Sequence, residues 1–422
     1  MIRWGVVAVM SSAGAWAQPL PQFLEAAGAH SFDQRQARLE ADRATAAFGE
    51  QWGALLPSLT AGAGWTYNQY DAVVSVPDAT GAVRTITIVQ KNQLDAQVRV
   101  DLPLVDASRW LLTASASASA DAAELETLAA AQRVGRSVVA GFHQWVASKG
   151  VAASAHRSLE VAREQESSLA RRQEAGVATE LELERARAEV ERATQIAAEA
   201  DVLFETQARS LETLTGLKPS APPDLPSGVP ETEVPLEELE QRVPELPQLR
   251  AAQRLVGAAE RATAAATLAF VPRVNAQFTQ RFTNATGFQN TNALYSGGLE
   301  LALRLDVAGV QGLRRQRQTE ALSALAYDRL TAAARDQLHA DWHRARAAQV
   351  KVAAATAQLA AARRARELTL ERWRAGVATQ LETIQADRDV FAAEVGALQS
   401  RCEVGTARGW LRLSANLPLE PR

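Results

Sequence analysis

Few residues of this chain are spaced for chemistry. His339 and His343 stand four apart, with Asp336 and Asp341 beside them. That spacing can bind zinc, but the run HADWH lacks the glutamate that follows the first histidine of a metalloprotease. The pair therefore reads as surface histidines on a long helix. Cys402 is the one cysteine, which excludes a disulfide or a cysteine-based zinc site within the chain. No Gly-rich phosphate loop, nucleophile elbow or histidine–carboxylate constellation stands out. The chain reads as no enzyme, with no cofactor and no resident metal. The chemistry left is that of charge: Glu382, followed by Gln385, Asp387 and Asp389, comes just after a glycine-containing turn. The competing reading of Glu382 is a helix cap.

That turn is used twice. Residues 175–182 read AGVATELE and residues 375–382 read AGVATQLE, with Gly176 and Gly376 separated by 200 residues. Glycine ends a helix because it adopts the left-handed conformation without strain. Thr179 and Thr379 then suit an N-cap, with Glu182 and Glu382 at the far end of a capping box. Each copy is expected at the tip of a long helical hairpin, and two copies in corresponding places imply a duplicated chain.

The elements that hold these tips also come in two series. Residues 20–55 read as helix, closed by Pro57. The period then changes to two over 59–70 and again over 94–104, where Leu94, Ala96, Val98, Val100, Leu102 and Leu104 alternate with Asp95, Gln97, Arg99 and Asp101. A polar, turn-rich stretch separates the two runs. About ten residues with one apolar face suit a tilted transmembrane strand. No proline interrupts 107–174, which would make a helix of roughly 100 Å. After the first turn, Ala186, Val190, Ala193, Ala197, Ala200 and Phe204 recur at steps of four and three, a coiled-coil seam of mostly small residues. The second half repeats the order: helix over 236–268, strands over 270–282 and 296–307, and a long helix from about 310 to 374. After its turn, Ile384, Arg388, Phe391, Val395, Leu398 and Cys402 form one seam, and Ala386, Val390, Ala393 and Ala397 a neighbouring one. Two seams suit a helix with partners on both sides.

Composition bounds the setting. A net charge of −3 argues against nucleic acid as a partner. Arg3, the apolar run WGVVAVM and the small-x-small pattern Ala15-Trp16-Ala17 predict a signal peptide over 1–17, cleaved after Ala17. The first repeat is expected over 18–216 and the second over 236–422. Residues 217–235, with six prolines, form the linker. Beyond the signal, no run approaches the roughly 20 apolar residues of a spanning helix. Four strands cannot close a barrel in a bilayer, since the smallest need about eight. Three chains would supply twelve.

The order of these features resembles the outer-membrane factor, or TolC-like, family of Gram-negative bacteria. The resemblance is carried by the signal peptide, LLPSL at 55–59, VRVDLPLVDA at 98–107, the duplicated arms, and the tips R-x-x-x-G-V-A-T-x-L-E at 172–182 and 372–382. It implies an α+β membrane protein: a homotrimer whose 12-stranded β-barrel in the outer membrane continues into a long periplasmic α-helical barrel. It further implies a passive exit duct for efflux or type I secretion, working with a periplasmic adaptor (membrane-fusion) protein and an inner-membrane pump. Arg172, Gly176, Val177 and Thr179, with Arg372, Gly376, Val377 and Thr379, would contact the adaptor, although the glycines could shape the turn alone and the arginines could be solvated. Glu382 and Gln385 fall where the family carries gate acids, six and nine positions after the tip glycine. Gln385 departs from that pattern. Trp65, Tyr67, Phe278, Phe282 and Tyr295 would form an aromatic girdle against outer-membrane lipid, with β-core packing as the competitor. The rival function is a secreted coiled-coil scaffold or adhesin without transport activity.

Overall fold

The computed structural model describes residues 18–77, 81–220, 222–223, 234–287 and 291–419. The signal-peptide expectation over 1–17 lies outside them, as does most of the linker. The described chain forms two compact units: a helical unit from residues up to Leu39, Glu126–Arg250 and Arg329 onward, and a sheet unit from Glu40–Leu125 and Ala251–Asp328.

In the sheet unit, α2 (Phe32–Gly53) leads into β1 (Ser58–Tyr67). A hairpin of β2 (Ala72–Pro77) and β3 (Val83–Val89) follows, then β4 (Asn92–Val105) and the start of α3 (Ala107–Glu174). From the second half come α6 (Pro247–Leu268), β5 (Arg273–Thr283), β6 (Ala293–Ala302) and the start of α7 (Val307–Arg374). The main sheet is antiparallel in the order β1-β4-β5-β6, so β4 and β5, one from each half, meet at its centre. The β2–β3 hairpin lies in the stretch read from sequence as turn-rich and polar; its short runs VVSV and TITIV are β-branched enough to pair with each other. The last strand ends at Ala302 rather than 307 because Asp306 caps α7, its Oδ1 accepting from the Gly309 amide at 2.6 Å.

Register makes the sheet two-faced. Residues paired across an antiparallel ladder share a face. Trp65 pairs with Leu94 and Ala63 with Ala96; Ala96 pairs with Phe282 and Val100 with Phe278; Ala276 pairs with Leu299 and Val274 with Leu301. One face is therefore almost wholly apolar across four strands, and it is exposed: Leu299, Leu301 and Leu59 are 73%, 72% and 70% accessible. The opposite face carries Asp95, Arg99, Asp101, Gln277 and Arg281, joined by hydrogen bonds from Arg281 to Asp95 (2.6 Å) and from Arg99 to Gln277 (2.7 Å).

The helical unit contains α1 (Leu20–His30), most of α3 and α7, α4 (Glu180–Thr215), α5 (Leu236–Glu240), a 3-10 turn (Val243–Glu245) and α8 (Gln380–Ser414). The single helix expected over 20–55 breaks at Ser31, and the one expected over 236–268 breaks where Pro244 and Pro247 remove amide donors. Phe23 and Ala27 of α1 pack with Val138, Phe142 and Trp145 of α3 and Leu211 of α4 in the main apolar cluster. Buried positions on α8 run Ala393, Ala397, Ser400, Val404, Ala407 and Leu411, alternating steps of four and three. On α7 they run Ala334, Leu338, Asp341, Ala345, Ala348 and Val352 in the same rhythm.

Candidate functional site

Both tips share one backbone plan. Helix α3 ends in a left-handed glycine, Gly176 at φ 73°, and α7 in Gly376 at φ 75°. The Val177 amide donates to the Arg172 carbonyl at 2.8 Å and the Gly176 amide to Gln173 at 2.9 Å. Val377 and Gly376 repeat these bonds to Arg372 and Trp373. This pair of bonds is the Schellman closure, which needs the positive φ that glycine supplies. Thr179 and Thr379 then cap α4 and α8, and Glu182 and Glu382 return a carboxylate to the cap amide at 2.8 and 3.0 Å. The cap bond from Thr179 holds the Glu182 carboxyl below its ordinary range. The loops leave Val177, Leu181, Val377 and Leu381 at least half exposed, an apolar pair at each tip.

The two tips are joined. The Arg172 guanidinium lies over the Trp373 ring at 4.7 Å, so this arginine is half-buried while Arg372 stays exposed. Further along, acids stand within the apolar seams. Glu189 occupies a buried position of α4 and accepts from Arg192 and from Arg388 of α8. Burial pushes its carboxyl up, but the two arginines outweigh that and hold it below the ordinary range; Arg388 is pushed up in turn by Glu189. Asp341, fully buried on α7, accepts from Arg136 of α3 at 2.7 Å, from Gln337 at 2.9 Å and from Arg344 at 3.1 Å. Glu394 of α8 accepts from Arg363 of α7 at 2.7 Å and from Arg157 of α3 at 3.4 Å. Each of these acids ties one hairpin to the other. Sequence reasoning missed Glu189, and named Asp341 only as a neighbour of the histidine pair, because a seam pattern registers apolar positions alone. The available signal was a carboxylate breaking an otherwise small-residue heptad, with arginines elsewhere to answer it.

Glu382 is exposed, with Oε2 used by the cap and Oε1 free of hydrogen bonds among the described residues. Gln385 is also exposed. Asp387 accepts from Gln165 and Arg366, so it is not a free carboxylate. His339 pairs with Glu240 of α5 while the His343 ring stands edge-on to Trp342, and no cluster of three or more metal-ligating side chains occurs among the described residues. Trp65, Tyr67, Phe278, Phe282 and Tyr295 are all 46% or more exposed, with the Phe278 and Tyr295 rings stacked at 6.4 Å. Four of the five lie at the β2–β3 end of the sheet; Phe278 sits nearer its middle. No helix among the described residues is long and apolar enough to cross a membrane.

Residues 23–217 match the family model described as outer membrane efflux protein. No curated protein sequence matches the chain. Among solved structures, the outer-membrane channel OprN is 20% identical with a TM-score of 0.79, over 95% of this chain and 91% of its own. The CmeC outer membrane channel of Campylobacter jejuni is 16% identical with a TM-score of 0.80, over 94% and 85%. The MtrE outer membrane channel of Neisseria gonorrhoeae, in an open state, is 18% identical with a TM-score of 0.76, over 95% and 89%.

Proposed function

We propose that this chain, whose residues 23–217 match the outer membrane efflux protein model and whose fold is that of solved outer-membrane channels, belongs to that family and is the passive outer-membrane exit duct of a tripartite efflux or type I secretion system. The observation that carries this reading is the four-stranded sheet with an exposed apolar face, a polar opposite face and, among the described residues, unpaired outer edges on β1 and β6. Open edges cannot stand in lipid, because each unpaired backbone group there costs several kcal/mol. Pairing β1 of one copy with β6 of the next satisfies them, and three copies close a 12-stranded barrel with the apolar face outward and the charged face lining the lumen. A secreted scaffold would leave the same apolar face in water, which is why that rival is disfavoured.

The remaining roles follow within this reading. Residues 1–17 direct export and are removed, residues 18–216 and 236–422 are the two repeats, and 217–235 link them. The tips, through Arg172, Gly176, Val177 and Thr179 with Arg372, Gly376, Val377 and Thr379, meet a periplasmic adaptor that couples the duct to an inner-membrane pump. Three Glu382 side chains, flanked by Gln385, narrow the periplasmic end and favour cations. Trp65, Tyr67, Phe278, Phe282 and Tyr295 contact outer-membrane lipid.

The test is direct. Protein extracted in detergent should run as a trimer and produce stepwise conductance in a planar bilayer. A water-soluble monomer that needs no amphiphile and conducts nothing would overturn the reading.

A further inference from the structure

The aromatic girdle has one end only. Along the apolar face of the strands, Trp65, Tyr67, Phe282 and Tyr295 gather where the β2–β3 hairpin begins. The opposite end, where strands join helices, offers Leu59, Leu102, Val105, Val274 and Leu301 and no aromatic ring. A bilayer has two interfaces, and amphipathic rings settle at both. The missing rings lie just past the strands, on helix ends of the same unit. Trp52 stands in the last turn of α2, six residues before Ser58, and Trp110 in the first turns of α3, five residues after Val105.

Both rings are 52% exposed, and neither makes a hydrogen bond, ring contact or cation contact among the described residues. The other helical tryptophans are all engaged: Trp145 is buried, Trp342 donates to the Val234 carbonyl, Trp373 lies under Arg172, and Trp410 donates to the Arg136 carbonyl. Helix α3 turns Ser108 and Ser115 to carbonyls of α6, and Arg109 and Thr113 to carbonyls of α2 and its exit. Trp110 lies about 200° around α3 from Ser108, directed away from α6. Leu56 and Val105, 44% and 43% exposed, continue the apolar surface from the strands towards these rings. Four residues of helix rise about 6 Å, which matches the depth of one headgroup layer beyond the hydrocarbon core.

We propose that Trp52 and Trp110 form the second membrane belt of this chain, seated among the phosphodiester headgroups of the leaflet on the helical side. This rests on the exit-duct reading and extends it: lipid contact does not stop at the strands but takes in the first turns of the helices. Reconstitution into phosphatidylcholine vesicles with bromine on acyl carbons 6 and 7 tests it by tryptophan fluorescence. Trp52, Trp65 and Trp110 are the rings expected within reach of bromine. In Trp52→Phe/Trp110→Phe the bromolipid-quenched amplitude should fall to roughly one third, since Trp65 alone remains. Trp65→Phe is the companion variant, and phenylalanine keeps the ring volume in all of them. If Trp65→Phe lowers the quenched amplitude and the double variant does not, protein covers Trp52 and Trp110 and this inference fails alone. If neither variant lowers it, the sheet does not meet lipid, and the inference falls together with the duct reading.

Discussion

At the scale of single residues, the tips and the clasps make separable predictions. Thr179→Ala or Thr379→Ala removes the hydroxyl that accepts from the third amide of α4 or α8. Each should cost about 1 kcal/mol, read as a lower melting temperature of the protein followed by circular dichroism. Asp341→Ala should cost more, about 3 kcal/mol in the same assay, because Arg136 and Arg344 converge on a carboxylate that is fully buried. The acids also set a pH dependence. Glu189 and Glu394 both titrate lower in the folded chain than their ordinary 4.5, burial being outweighed by arginine bonds. Their contribution is complete above that value and is lost as pH falls through the lower folded values. Melting temperature should therefore drop steeply below pH 4.5 and less steeply in Glu189→Gln; identical slopes in the two proteins would show that this pair does not hold the hairpins together.

At the scale of elements, the contact between α3 and α8 depends on absent side chains. A Cβ on Gly409 would lie 2.6 Å from Cγ1 of Val139, a β-branched residue that cannot turn away. Gly409→Ala should destabilise by about 1–3 kcal/mol despite its gain in helix propensity. Gly396, on the same helix, has nothing within 4 Å of its Cβ position, so Gly396→Ala should stabilise by up to about 1 kcal/mol. Opposite signs from one substitution on one helix would mark where backbones must approach. Gly176→Pro acts at the hairpin end. It forbids φ 73° and deletes the amide that bonds Gln173, so the tip should lose its shape; in the proposed duct, export of a co-expressed pump's substrate should then fall while membrane insertion is retained. Unchanged export in both Gly176→Pro and Gly376→Pro would remove the tips from the coupling path.

For the whole molecule, the decisive energetics lie at the sheet edges and the exposed apolar face. The proposed duct accounts for both: lipid covers an apolar surface that crosses four strands, and further copies pair the two edges that are free among the described residues. The polar face mixes both signs, Asp95 and Asp101 against Arg99 and Arg281, so the lumen of the proposed barrel should show little charge preference. Selectivity in the bilayer should then come from the acidic helix ends, and Glu382→Gln should reduce cation preference measured as a reversal potential.

What the sequence determined is local. Period two and period 3.5 are written in residue type, so the four principal strands, the 68-residue α3, the paired glycine turns and their capping boxes could be read before any coordinates. The short β2–β3 strands and the helix breaks at Ser31 and Pro244 were not, because β-branched runs of six and seven residues, a single extended residue and a three-residue 3-10 turn sit below what periodicity resolves. Tertiary structure decided the rest. It set β4 beside β5, brought Arg172 onto Trp373, and paired Glu189 with Arg388 across 199 residues of chain. Burial and charge pairing depend on which distant segments meet, and one residue's neighbours in sequence do not carry that information.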